Sequence, residues 1–150
     1  MNEQYSERVL QNKVIELFKS MGYQYISYED ALKERNNDTN NVLFKNILEE
    51  QLKKINYFMY DGKKNSFSID NIKKAADDLD IPLIKGYLIT NEEITERILK
   101  GESYKEKIGN KQESFNIKYI DFDNIENNTF HITEEFIVNR SSLEEKENSN

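Results

Sequence analysis

The sequence predicts an α+β fold of about four helices followed by a C-terminal antiparallel β-hairpin. Three observations carry that prediction. Apolar residues recur at helical spacing in four separate stretches before Gly101. Between Phe115 and Val138 the period changes to two: Phe115, Ile117 and Tyr119 alternate with Asn116 and Lys118, and Phe130, Ile132, Phe136 and Val138 alternate again beyond a polar stretch. Glycines and small polar residues stand where these segments should begin and end.

The first helix is expected over residues 6–21, where Leu10, Val14, Leu17, Phe18 and Met21 form its stripe and Gly22 occupies the position that ends a helix. Glu7 and Gln11, one turn apart, flank that stripe and project from one helix edge. Tyr23, Tyr25, Ile26 and Tyr28 then carry the chain across the core; without interleaved basic residues they read as packing rather than as a base-stacking platform. The run Glu34–Asn41 contains no apolar residue and reads as a loop ending in a cap at Thr39 or Asn40.

A second helix is expected over 42–55, with Phe44, Ile47, Leu48, Leu52 and Ile55 as its stripe. Asp61-Gly62 signals a turn. Ser68 is placed to cap a third helix over 68–79 carrying Ile69, Ile72, Ala76 and Leu79, which Pro82 stops or redirects. Thr90 and Glu93 fit a capping box opening a fourth helix over 91–100 that Gly101 ends. Glu102 to Glu113 reads as a polar linker, and the hairpin follows over 115–138 with the Asn- and Asp-rich connection DNIENN. Residues 1–139 are expected to form one domain and 140–150 a disordered polar tail.

Composition limits the chemistry. The 150 residues contain no cysteine, which excludes disulfides, thiolate zinc sites and a cysteine nucleophile. His131 is the single histidine, which excludes a Ser-His-Asp triad and a multi-histidine metal site. The charge of -7, pI near 4.9 and mean hydropathy of -0.85 argue for a modest core and against a nucleic-acid clamp with a basic face. The pairs Lys53-Lys54, Lys63-Lys64 and Lys73-Lys74 lie among acids and read as solvated faces. No apolar run approaches the roughly 20 residues of a membrane span, so no membrane association and a cytoplasmic location are expected. No glycine-rich phosphate loop, paired metal ligands or nucleophile elbow is present. Strict alternation puts Glu134 on the face of Ile132 and Phe136, where a lone carboxylate is costly. Either a bulge turns it outward, with Glu135 adjacent, or it has a partner.

Several motifs occur in a familiar order: Glu7 followed by Met21-Gly22-Tyr23, Leu52 to Asn56, the helix of Asn91 closing with Leu99-Lys100-Gly101, and Ile120 to Phe130, which contains Asp121, Asp123 and Asn128. In this order they resemble the N-terminal region of the restriction subunit of Type I restriction-modification enzymes, over nearly the whole chain. The resemblance implies an incomplete nuclease domain of the PD-(D/E)xK class in a DNA-cleaving complex dependent on ATP and magnesium. Magnesium would be held there by an aspartate and a glutamate, with a lysine assisting the attacking water. It also implies methylation and specificity subunits as partners, with duplex DNA engaged only through the intact complex.

This chain departs from the family pattern where the aspartate and Glu-x-Lys strands belong. There it has Ser141 to Lys146, whose Glu144-Glu145-Lys146 lacks the flanking β-branched residues of a buried strand and reads as tail. Gln11 stands where the family often has a second glutamate, which leaves Glu7 as an accessory candidate. No complete catalytic set and no metal or cofactor site are therefore expected in this chain, and it should be inactive alone as a truncated or split subunit. The alternative is a stand-alone interaction module docking on a methyltransferase-specificity complex. Self-association through an open hairpin edge is expected on the truncated-subunit reading, whereas a self-contained module should stay monomeric.

Overall fold

The structure is a computed structural model that describes residues 6–81 and 85–139. Its elements run α1 (Glu7–Ser20), β1 (Gln24–Ile26), α2 (Tyr28–Glu34), α3 (Lys45–Ile55), β2 (Phe58–Tyr60), β3 (Lys63–Asn65), α4 (Ile69–Asp78), α5 (Tyr87–Lys100), β4 (Glu102–Ile108), β5 (Lys111–Ile117) and β6 (His131–Thr133). The α+β class holds, with five α-helices among the described residues. The chain forms two compact units: residues up to Val42 with Thr129–Asn139, and Leu43–Asn128.

In the first unit, Ser6 caps α1 by accepting from the Val9 N–H at 3.3 Å, and Ser27 caps α2 from Asp30 at 3.2 Å. Gly22, at φ +93°, ends α1 as expected and turns the chain into β1. β1 pairs in parallel with β6, Tyr25 opposite Ile132. Phe18 meets Tyr23 edge to face and Tyr23 meets Phe130 at a tilt, with ring centroids 4.9 and 5.5 Å apart. Of the predicted stripe of α1, only Phe18 is packed. Ile15 is buried, whereas Leu10, Val14, Leu17 and Met21 are each about half exposed. The stripe follows helical spacing, but spacing does not say which side meets the sheet.

α2 falls on the aromatic run and the start of what the sequence presents as loop. Arg35, just past its end, is almost wholly buried. Its guanidinium donates to the carbonyls of Asn41, Thr39 and Ile137 and lies 4.1 Å from the Phe136 ring. These bonds replace the expected Thr39 or Asn40 cap as the organising feature of the segment. α3 begins at Lys45 after Phe44, with no side-chain cap.

In the second unit, Leu52 of α3, Ile72, Ala75 and Ala76 of α4, Phe58, Phe67, Tyr104, Ile117 and Tyr119 make one buried cluster. Asp61 and Gly62, both at positive φ, turn β2 into β3. Ser68 caps α4 as predicted, accepting from the Asn71 N–H. α5 starts one turn earlier than the capping box suggests: Gly86 precedes it and the Thr90 N–H donates to the Gly86 carbonyl at 3.2 Å. Thr90 is therefore a buried helix-interior residue. Pro82 lies outside the described residues, as does the predicted tail 140–150.

The expected hairpin over 115–138 is not formed. β5 pairs antiparallel with β4, in register from Glu102 opposite Ile117 to Ile108 opposite Lys111. The supposed polar linker is thus β4, a turn and the start of β5. Its alternation is masked because lysines and serines mark the outer face where Tyr104, Glu106 and Ile108 mark the inner one. A partner two residues away across Gly109-Asn110 closes a shorter loop than one beyond Asn128. β6 instead pairs with β1, a parallel contact that needs a long crossover and leaves no local signature.

Candidate functional site

The acidic edge of α1 and the end of β6 meet in the first unit. Arg8 donates to Glu134 Oε2 at 2.9 Å, and the Tyr25 hydroxyl donates to Glu134 Oε1 at 2.9 Å. The partner reading of Glu134 is the one observed, and the positive φ of Glu135 (+51°) ends the strand alternation beyond it. Burial and the Glu134 carboxylate together raise the pKa of the Tyr25 phenol above its ordinary value. The Gln11 amide donates to Glu135 at 3.0 Å and, at 3.4 Å, to Glu7. Glu7 and Gln11 do project from one helix edge toward this strand end, as their spacing predicts. Glu7, Glu134 and Glu135 are gathered here, each engaged by a donor. Sequence reasoning missed Arg8 and Tyr25; the cost of a lone carboxylate at Glu134 was the signal that such donors exist.

Most of the other residues singled out in the sequence occupy fastening positions. Gly22, Tyr23 and Phe130 come together where the parallel pair begins, and the Gln24 N–H donates to the Phe130 carbonyl at 2.8 Å. In the second unit, Asn56 bonds the backbone of Lys118 in both directions. Asp121 and Asn128 close the loop between them. The Asp121 carboxylate accepts from the Asn127 amide, the Asn124 N–H and the Lys118 ammonium, while Asn128 accepts from the Asp121 N–H and donates to its carbonyl. These bonds hold the Asp121 carboxyl at a pKa of about 2, the Asn127 amide contributing most. Gly101, at φ +72°, lets the start of β4 approach β5 so closely that an added Cβ would lie 2.4 Å from the Ile117 carbonyl oxygen. Asn91 is exposed on α5, and Asp123 is exposed within the loop.

Gly22, Gly101, Asn56, Asp121 and Asn128 thus stand at turns and backbone locks rather than in one reactive cluster. A family model described as the Type I restriction enzyme R protein N terminus matches residues 4–149. The chain belongs to that family. No curated protein and no solved structure matches it.

The R-protein scaffold can be tested for the magnesium that its family implies. Magnesium requires near-octahedral oxygen ligation. Glu134 is committed to Arg8 and Tyr25, while Glu7 and Glu135 share one amide donor. No group of three or more His, Asp or Glu residues among the described residues is arranged to hold a metal. These residues do not fit a complete magnesium site. The acidic edge orients side chains and carries negative charge. Glu144, Glu145 and Lys146 lie outside the described residues.

Proposed function

We propose that this chain forms the opening part of a PD-(D/E)xK nuclease region in a Type I restriction subunit. It contributes to DNA cleavage only together with the rest of that subunit and with methylation and specificity partners. The complex acts on duplex DNA in the cytoplasm, using magnesium at nuclease strands and ATP at motor domains of the whole subunit. The observation that carries the reading is the family match over residues 4–149. In it, α1 and the β1–β6 pair supply scaffold and an acidic edge, with Glu7 as an accessory residue. No helix among the described residues is long and apolar enough to cross a membrane.

The test compares the purified chain with a reconstituted complex on supercoiled plasmid in magnesium. The chain alone should give no more nicked or linear product than buffer. Adding the remainder of a restriction subunit, its partner subunits and ATP should give cleavage. Magnesium-dependent nicking by the chain alone, lost on Glu7→Gln, would overturn the proposal, as would the failure of every reconstitution.

A further inference from the structure

The β4–β5 hairpin has one face that the net acidity of the chain conceals. Tyr104 and Glu106 point inward, where Glu106 accepts from the Ser68 N–H, the Ser68 hydroxyl and the Asn71 amide. The pairs Ser103–Asn116, Lys105–Ser114 and Lys107–Gln112 therefore form the outward face, and all six residues are exposed. The acids of the hairpin, Glu102, Glu106 and Glu113, fall on the other face by alternation. No carboxylate among the described residues pairs with the ammonium of Lys105 or Lys107. Beyond Asn116 the surface continues into a cleft of about 290 Å³ lined by Asn116, Lys118, Asn56 and Tyr57. Tyr57 in turn carries the Lys64 ammonium 4.2 Å from its ring centroid.

We propose that this face is a contact surface for the phosphate backbone of duplex DNA, an inference that rests on the restriction-subunit reading above and locates its DNA contact. The residue types set the partner. A protein-binding hot spot needs buried aromatic or aliphatic anchors, and the outward face has none. Single-stranded nucleic acid needs stacking platforms along the strand, and here the one aromatic lies at the far end. Lysines with serine, asparagine and glutamine suit phosphate oxygens and groove edges, and a two-stranded ribbon is an element that a major groove admits. Lys105 and Lys107 are two residues apart, about 6.8 Å along the strand, within reach of successive phosphates spaced about 3.4 Å apart along the duplex axis. Lys118 is held by Asp121 at 3.1 Å, so Lys64, Lys105 and Lys107 supply the free charge.

Three phosphate contacts give a slope of log K against log salt of about -2.7 and weak binding at physiological salt. The test is titration of the chain with a fluorescent 20-base-pair duplex at about 15 and 150 mM salt, with amide shifts mapped by NMR at the lower salt. Binding should tighten about 500-fold on dilution of the salt, and shifts should concentrate in residues 103–107 and 112–118. Lys105→Glu with Lys107→Glu should weaken low-salt binding at least tenfold and reduce the slope by about 2. The charge-matched pair Lys13→Glu with Lys33→Glu in the other unit should change it less than threefold. Equal losses in both double variants, or shifts centred away from the hairpin and the adjoining Asn56, Tyr57 and Lys64, would overturn the assignment, as would no binding at 15 mM salt. Cleavage by the reconstituted complex is read separately, so a chain that supports cleavage but fails this titration loses only the proposed face.

Discussion

Asn56 and Lys118 exchange two hydrogen bonds: the Asn56 amide donates to the Lys118 carbonyl at 2.8 Å, and the Lys118 N–H donates to Asn56 Oδ1 at 2.9 Å. A side chain at the end of α3 thereby replaces a missing strand neighbour at the exit of β5. The same amide also reaches the Leu52 carbonyl at 3.0 Å, tying the last turn of the helix into the arrangement. Asn56 is 7% exposed, so water cannot readily replace these bonds.

Asn56→Ala should therefore cost about 2–4 kcal/mol, because it strands a buried N–H and a carbonyl together. Asn56→Asp sets a buried carboxylate oxygen against the Leu52 and Lys118 carbonyls and should cost at least as much as alanine at pH 7. Chemical denaturation of the three proteins checks both the size and the order.

The Asp121 loop should lose stability in acid. Its carboxyl has a folded pKa of about 2 against an ordinary 3.8. The sign follows from linkage: a depressed carboxylate contributes stability that is fully present above the unfolded value and is lost as pH falls through the folded one. The window is therefore roughly pH 4 down to 2. An NMR titration should give a carboxyl midpoint near 2, with faster Asn124 amide exchange across the same window. Asp121→Asn should remove that pH dependence, and an ordinary midpoint near 4 would show that the three donors do not hold the carboxylate.

Arg35 supports a prediction about the first unit. Its planar guanidinium serves three carbonyls on two separate segments and stacks on Phe136. A lysine has neither the fork nor the flat face. Arg35→Lys should lower stability by about 2–3 kcal/mol although charge is kept, and should speed exchange of the Asn139 N–H, which donates to Thr39. A silent substitution would mean that the clamp is not needed.

What the sequence reveals is divided along physical lines. The caps at Ser68 and the stops at Gly22 and Gly101 depend on local chemistry and stand where the residues indicate. Thr90 misleads because the helix pattern extends upstream through Tyr87, Leu88 and Ile89, and the earlier start at Gly86 satisfies more of the backbone. β4 is hidden because its outer face consists of polar side chains that score as linker. The β1–β6 pair has no local signal, since parallel strands far apart in sequence meet only through the tertiary fold. At the site, Glu134 announces a partner by its cost, but neither Arg8 nor Tyr25 can be named from spacing. The resemblance identifies Asp121 and Asn128 as signature residues, and only the coordinates reveal that they close a loop.

The two kinds of strand pair should differ sharply in protection. β4 and β5 are seven residues each, joined by a two-residue turn, with Tyr104 and Ile117 buried beneath them. β1 and β6 match only three residues, and parallel two-stranded pairs are stable chiefly when further strands or helices cover them. Each of these short strands has only one ladder partner among the described residues, which leaves an outer edge able to pair with another chain. The self-association expected of a hairpin over 115–138 is thereby transferred to this pair. Amides of Tyr104, Glu106 and Ile117 should exchange at least tenfold more slowly than those of Tyr25 and Ile132, and sedimentation should show mass rising with concentration. Faster exchange in β4–β5 than in β1–β6, together with a strictly monomeric chain at millimolar concentration, would refute the open-edge account and mean that the short parallel pair is already covered on both sides.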